Sequence, residues 1–482
     1  MRGSNAKPRF KGFQPIRSGI TAPLCQPASV HTVGSELEHV WETGVSKTYE
    51  NFLRSDGKIL IPVETRMLLA PIAAAFQNVN ADLFLVGGSV RDAALGRVSK
   101  DFDLTTSLRP HEIRRVVEPH ADAVWEGTGE QFGTVSFTYC GEQVEITTFR
   151  ADSYDGVTRK PTVEYGDNVV DDLSRRDLTM NAIAVSMRDG TVVDPFNGLA
   201  DLREGVLRTP QTPEVSFSDD PLRMMRCSRF AAQLGFRLHP DALKAMRDMC
   251  GRIDNISVER VQGELDRILE SSHPSAGFRM LRTSGILQHI VPELPASSDN
   301  NMLMRAVADV QFETLPTRKN VVLAALFIDG KVSPNVVNHR LKTLRFPSDV
   351  GKTVSILVKS FEQFGRMSEK NWDARQVRKF CFESGSSLDG VRALNTASLE
   401  RKVSHAKFMK TFNELSKAEN LGSISAELSG TEVMNILQTG PGRHIGDANK
   451  FLLDHYFVHG RVGKRIVGKR LKEWWERERV KS

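Results

Sequence analysis

Cysteine is scarce in this chain and never clustered. The five residues, Cys25, Cys140, Cys227, Cys250 and Cys381, are spread over 482 positions. No Cys-x-x-Cys pair and no Cys/His cluster occurs, which argues against a zinc framework or a disulfide scaffold. A reducing, intracellular setting fits best, and the cytoplasm is the expected location. Long apolar runs are also missing. None approaches the roughly 20 residues that a membrane span needs, so no membrane is expected as a partner. Acids are absent from residues 1–35, where Arg2, Lys7, Arg9, Lys11 and Arg17 stand among frequent Pro and Gly. That composition predicts a partly disordered basic extension over 1–62. The alternative, an organelle transit peptide, is also basic and acid-poor, but the early Pro and Gly weaken the amphipathic helix it requires. No internal repeat of fixed period is present.

The chain has enough to build ordinary cores. Apolar residues make up 40% of it, and its length predicts several domains. A net charge of +6 suits an acidic partner without demanding one.

The densest information lies between Leu83 and Leu104, in Leu-Phe-Leu-Val-Gly-Gly-Ser-Val-Arg-Asp and the Asp-Phe-Asp-Leu that closes it. The apolar run Leu83 to Val86 predicts a buried strand. Gly87 and Gly88 follow at once, and a glycine pair there lets backbone approach a ligand. Arg91 is placed to hold a phosphate oxygen. In a strand through Asp101–Leu104 both aspartates share one face, roughly 6–7 Å apart along the chain, with Phe102 and Leu104 on the other. Such a pair can hold one or two Mg²⁺ ions beside a phosphate. A turn or a solvated edge explains each piece alone. Their ordered combination points to phosphate chemistry.

Downstream, Gln143 to Phe149 predicts a strand with Val144 and Ile146 on one face and Glu145 on the other, where Glu145 could reach the aspartate pair. Arg150 to Asp172 is polar, carries the turn signals Asp155-Gly156 and Lys160-Pro161, and reads as a long mobile loop. Asp219-Asp220-Pro221 makes a sound helix start. Arg223, Arg226 and Arg229 then recur every third residue opposite Met224, Cys227, Ala231 and Leu234. No acid falls between Asp220 and Asp241, so three unpaired guanidinium groups beside a carboxylate-bearing strand are expected, a set suited to a triphosphate.

The stretch from Leu83 to Leu104 resembles motif A of the class II tRNA nucleotidyltransferases, the CCA-adding enzymes, and of the bacterial poly(A) polymerases related to them. Arg175-Arg176-Asp177-Leu178-Thr179-Met180-Asn181-Ala182 resembles motif B, and Asp194-Pro195-Phe196-Asn197-Gly198 the motif C hinge. Asp219-Asp220-Pro221-Leu222-Arg223 resembles motif D, with Asp219 where Glu is usual, and Val258-Glu259-Arg260 with Glu264 resembles motif E.

The resemblance implies an α+β nucleotidyltransferase head, a mixed sheet with helices, followed by an all-α neck, body and tail. The corresponding spans are 63–208, 209–275, 276–400 and 401–482. It implies addition of C, C and A to tRNA 3′ ends from CTP and ATP, with Mg²⁺ held by Asp101 and Asp103 and with Glu145 among the catalytic acids. Gly87, Gly88, Arg91, Arg176, Arg226 and Arg229 would contact the nucleotide, and Asp177 its ribose. Asp220 and Arg223 would read the base edge, while motif E would position the motif D helix. A poly(A) polymerase, a partial CC- or A-adding enzyme and an inactive RNA-binding relative are the alternatives. Many bacterial members carry a downstream metal phosphohydrolase marked by His-Asp. Here Ile328 precedes Asp329 and Asn300–Met304 offers no histidine, so no phosphohydrolase activity is expected. Leu428 to Leu453 resembles the family's C-terminal segment. The basic stretch from Lys464 to Lys481, containing Trp474 and Trp475, is either a solvated helix or a surface for tRNA phosphates.

Overall fold

The computed structural model describes residue 59 and residues 61–479, apart from 100, 126–129, 131–132, 154–161, 296–301, 309–314 and 368–371. Nearly all of the predicted extension 1–62 lies outside that set, as does the segment holding both turn signals of the predicted mobile loop.

Helix α1 (Val63–Asn78) buries Leu69, Ile72 and Phe76, whose spacing puts them on one face. It leads into β1 (Leu83–Val86), helix α2 (Gly88–Ala94) and β2 (Asp101–Thr106). After α3 (Pro110–Val117) come β3 (Ala123–Val124), β4 (Thr134–Tyr139) and β5 (Glu142–Thr148). A hairpin follows, of β6 (Arg150–Ser153) and β7 (Thr162–Tyr165), then helix α4 (Val169–Ser174), β8 (Ala184–Ser186) and β9 (Val192–Val193). The main sheet runs β3-β4-β5-β2-β1-β8-β9. Its β2–β5 pair is parallel and the others are antiparallel. A mixed sheet with helices is therefore the architecture of the head, as expected from the sequence.

The stretch 150–172 is not one loop. Arg150 pairs with Tyr165 across the β6–β7 hairpin, and Asn168 caps α4 by accepting from the Val170 N–H at 2.9 Å. Polar composition concealed these elements, because the ribbon carries few apolar residues to mark its strands.

Beyond the head the described chain is mostly helical. Helix α5 (Gly198–Glu204) leads to α6 (Pro213–Asp219), α7 (Leu222–Leu234), α8 (Pro240–Met249) and α9 (Val258–Glu270), and more helices follow to Arg479. Helix α7 packs against α9 and against the helix Pro274–Thr283. A Cβ at Gly277 would lie 2.8 Å from Ile268 Cγ2 and 2.9 Å from Ala232 Cβ, so only glycine allows this crossing. One continuous apolar core extends from Ile59 to Leu421. A separate small core, Leu428, Val433, Leu437, Ala448, Leu452, Val467 and Leu471, holds the C-terminal helices together. Among the described residues no helix is long and apolar enough to cross a membrane.

Candidate active site

The apolar face of β2 goes inward and its acids stay out. Phe102 and Leu104 are buried, Asp101 is exposed and Asp103 is half-buried. Register sets Asp103 beside Glu145 on the parallel neighbour β5. The hydroxyl of Ser89, buried on α2, donates to the Asp101 carbonyl at 2.7 Å and pins the start of β2 to that helix. Sequence reading did not single out Ser89, since a lone serine after a glycine pair carries no pattern.

Gly87 adopts φ +69°, a conformation that side chains disfavour. A Cβ there would lie 3.1 Å from Arg176 Nη1 and 3.2 Å from Asp103 Oδ2. Backbone, guanidinium and carboxylate therefore converge where β1 passes into α2. Burial pushes the Asp103 carboxyl up. Arg176 opposes that, while Glu145 and Asp101 add to it. A divalent cation would relieve this crowding of acids, and the pair Asp101 and Asp103 fits one.

Glu145 stands close enough to Asp103 to raise its carboxyl, and its own carboxylate has protein partners. Its carboxylate accepts from Ser136, its cross-strand neighbour on β4, at 3.1 Å, and from Gln143 at 3.4 Å. Among the described residues no group of three acids, thiols or imidazoles is arranged to hold a metal.

Arg91 folds back beside Gly88, its Nη2 3.6 Å from where a Cβ would sit. Its guanidinium donates to Asp92 twice, at 3.0 Å each, and to Asn181 Oδ1 at 2.9 Å, and it covers the Phe230 ring at 5.3 Å. Arg175 and Arg176 follow α4 and both fold back on Asp172, which is fully buried. Asp177 is buried as well. Its Oδ1 accepts from the Leu178 N–H at 2.8 Å and from Asn181 at 2.9 Å, and its Oδ2 pairs with Arg226 at 2.6 Å. Burial alone would raise this carboxyl, but Arg226 and Asn181 outweigh it and hold it at about 2.

The expectation of three unpaired arginines on α7 does not hold. Arg223 donates to Ser216 Oγ at 3.0 Å and to the Arg175 carbonyl, and lies 4.0 Å from Asp219. Arg226 takes Asp177. Arg229 pairs with Glu264 of α9 at 2.7 Å, bonds Gln233 at 3.2 Å and covers Phe230 at 4.1 Å. With 8% of its surface exposed, Arg229 is packed into the α7–α9 interface. Asp177 and Glu264 sit 49 and 35 residues from their arginines, so a local window cannot supply them, whereas Asp219 is a local neighbour of Arg223. Asp220 and Arg223 are not paired with each other. Asp220 accepts from the Leu222 N–H at 3.1 Å and from Arg260 at 2.8 Å. Residues of the motif E segment thus hold Asp220 and Arg229 directly.

Away from this site, Asp329 accepts from the backbone N–H groups of Leu303 and Met304 at 3.3 and 3.2 Å. Burial pushes its carboxyl up to about 6, and these two bonds pull against that. Its visible work is to cap the helix Met302–Ala308.

Comparison with known proteins follows the same lines. Residues 83–208 match the poly A polymerase head domain family. Residues 235–297 match the family described as a probable RNA and SrmB-binding site of polymerase A. The chain is 32% identical over 291 residues to a CCA-adding enzyme of Lactiplantibacillus plantarum, covering 60% of this chain and 69% of that one. It is 27% identical over 406 residues to a CCA-adding enzyme of Bacillus licheniformis, covering 84% and 96%. The crystal structure of the Bacillus stearothermophilus CCA-adding enzyme in complex with CTP superposes with a TM-score of 0.64 at 25% identity, over 86% of this chain and 98% of that one.

Proposed function

The chain belongs to the family of the CCA-adding enzymes, the tRNA nucleotidyltransferases, and on that premise we propose that it completes tRNA 3′ ends with C, C and A from CTP and ATP. The reaction forms a bond between the primer 3′-oxygen and the α-phosphorus, breaks the bond to the bridging oxygen, and releases pyrophosphate. Each round leaves a new 3′-hydroxyl for the next.

The observation that carries this reading is the convergence at Gly87. With no side chain there, Arg176 Nη1 and Asp103 Oδ2 close to 3.1 and 3.2 Å of where a Cβ would sit, beside a strand on which Asp101 shares the face of Asp103. A triphosphate would lie along this edge, its charge met by Arg176, with Gly87 and Gly88 allowing close approach. Arg91 stands beside Gly88 and would hold a phosphate oxygen, and Arg226 of α7, paired with Asp177, would add a phosphate or ribose contact. Asp101 and Asp103 would hold Mg²⁺. With two ions bound, one would lower the pKa of the primer hydroxyl and the second would offset charge on the departing pyrophosphate. Asp220 and Arg223 open α7 and would face the base, each held by protein partners that fix its direction. The work belongs to the cytoplasm, where tRNA and both nucleotides are at hand.

A tRNA transcript lacking its CCA end tests the proposal, given Mg²⁺ and CTP, ATP, or both. Two cytidines from CTP alone, and one further adenosine once ATP is added, are expected. A long adenosine tail from ATP would assign a poly(A) polymerase instead, a product stopping at either step a partial enzyme, and no product an inactive RNA-binding relative.

A further inference from the structure

We infer that Asp172 is a positioning residue for nucleotidyl transfer. It sets the guanidinium of Arg176 against Gly87 and Asp103 and, through Arg175, helps seat Arg223. In the sequence it is one of two adjacent acids, Asp171 and Asp172, in a polar stretch. The fold separates them, with Asp171 exposed and Asp172 fully covered. A covered carboxylate is costly unless cations meet it. Arg175 and Arg176 come three and four residues later, at the spacing that returns a side chain to the same helical face. Asp172 divides its oxygens between them. Oδ1 accepts from Arg175 Nε at 3.1 Å and Nη2 at 2.6 Å, and Oδ2 accepts from Arg176 Nη2 at 3.1 Å. Burial pushes this carboxyl up, but the two arginines more than offset that and hold it below the ordinary range.

The far ends of the two arginines separate this arrangement from ordinary fold support. A guanidinium is planar, so gripping one nitrogen sets the direction of the others. With Nη2 on Asp172, Arg176 directs Nη1 to the space beside Gly87, and its buried Nε has no hydrogen-bond partner. The backbone carbonyl of Arg175 receives Arg223. One carboxylate thus orients the guanidinium on the phosphate side and grips the side chain of the residue whose backbone carbonyl receives Arg223. The inference rests on the proposed role of Arg176 as a phosphate contact.

Asp172→Asn keeps the shape and removes the charge. The KM for CTP is expected to rise about 10- to 100-fold, the scale of a small misplacement of a positioning group, while the KM for tRNA stays within about twofold, since tRNA affinity comes mainly from phosphate contacts elsewhere. Arg176→Ala should raise the KM for CTP by itself, and the double variant should fall short of the product of the two single effects. A residue that only supports the fold would lower the melting temperature and the active fraction and leave both KM values alone. That result overturns the inference, and so does a fully multiplicative double variant. If Asp172→Asn does not fold, Asp172→Glu, with the charge kept and the carboxylate moved by one methylene, is measured the same way. An unchanged KM for CTP in that variant also overturns it. An unchanged KM in Arg176→Ala would refute the phosphate role first and take this inference with it.

Discussion

Asp103 stands where burial and neighbouring acids act against its charge. Burial, Glu145 and Asp101 all disfavour its charge, and Arg176 is its main protein counterweight. Asp103→Ala is therefore expected to bring CTP incorporation below detection. Binding of tRNA, which draws on Lys and Arg contacts to phosphates, should be retained. Near-normal incorporation would remove the aspartate pair from the chemistry. Arg223 poses a different question, because its guanidinium already bonds Ser216 and the Arg175 carbonyl. Removing it leaves those acceptors short of a donor, at about 1–3 kcal/mol, and takes away one of two proposed base readers. Sites built to hydrogen-bond a substrate group can discriminate by about 10⁴. Arg223→Ala should therefore keep weak polymerisation while accepting UTP and GTP better relative to CTP and ATP. Single-turnover incorporation of all four nucleotides decides it, since an equal drop for each would mean that Arg223 serves phosphate or fold alone.

Elements in this protein are joined by ion pairs that span long stretches of sequence, and this divides what could be read in advance from what could not. The β2 alternation of Asp101 and Asp103 against Phe102 and Leu104 was legible because a strand repeats every two residues. Gly87 was legible because its position after an apolar run is itself a signal. The partners of the α7 arginines were not legible. Asp177 lies 49 residues before Arg226 and Glu264 lies 35 after Arg229, and only the fold brings them together. Asp172 could have been found, since acid and arginine at helical spacing are a local pattern. The Asp177–Arg226 pair ties the head to α7, and it makes a pH prediction. A carboxyl held at about 2 when folded, against about 3.8 when unfolded, contributes about 2 kcal/mol at neutral pH. That contribution is fully present above the unfolded value and is lost as pH falls through the folded one. Asp177→Asn should therefore lower the urea midpoint at pH 7, and the gap from the unaltered chain should narrow between about pH 4 and pH 2. A gap that stays constant over that range would show that the charge of Asp177 is not what joins head and neck.

Across the whole molecule, acid and base are distributed so that the proposed chemistry sits in the head and the most basic helix lies at the far end of the chain. The C-terminal helix Lys464–Arg479 belongs to the separate core with Val467 and Leu471, which turn inward and leave its cations outside. Some of these cations are already paired. Lys464 meets Glu432 at 2.6 Å and Arg470 meets Glu473 at 3.0 Å. Both pairs are well exposed, and exposed pairs contribute only about 0–1 kcal/mol, so a phosphate can replace either acid at small cost. Arg465 and Lys469 have no acidic partner among the described residues. A surface of this kind fits a polyanion better than it fits solvent alone. Each phosphate it neutralises would release counterions and add roughly 0.7–0.9 to the slope of log affinity against log salt. Replacing Lys464, Arg465, Lys469 and Arg470 with Ala should weaken tRNA binding and flatten that slope by about 2–3 if most of the four reach phosphate. The internal core of the tail should survive, because none of the four side chains is part of it. The salt series, run on the unaltered and altered full-length chains with the same tRNA, separates the readings. A parallel loss of affinity at every salt concentration would mean that the tail acts by shape alone. An unchanged slope and affinity would mean that these cations face solvent and that the RNA is held elsewhere.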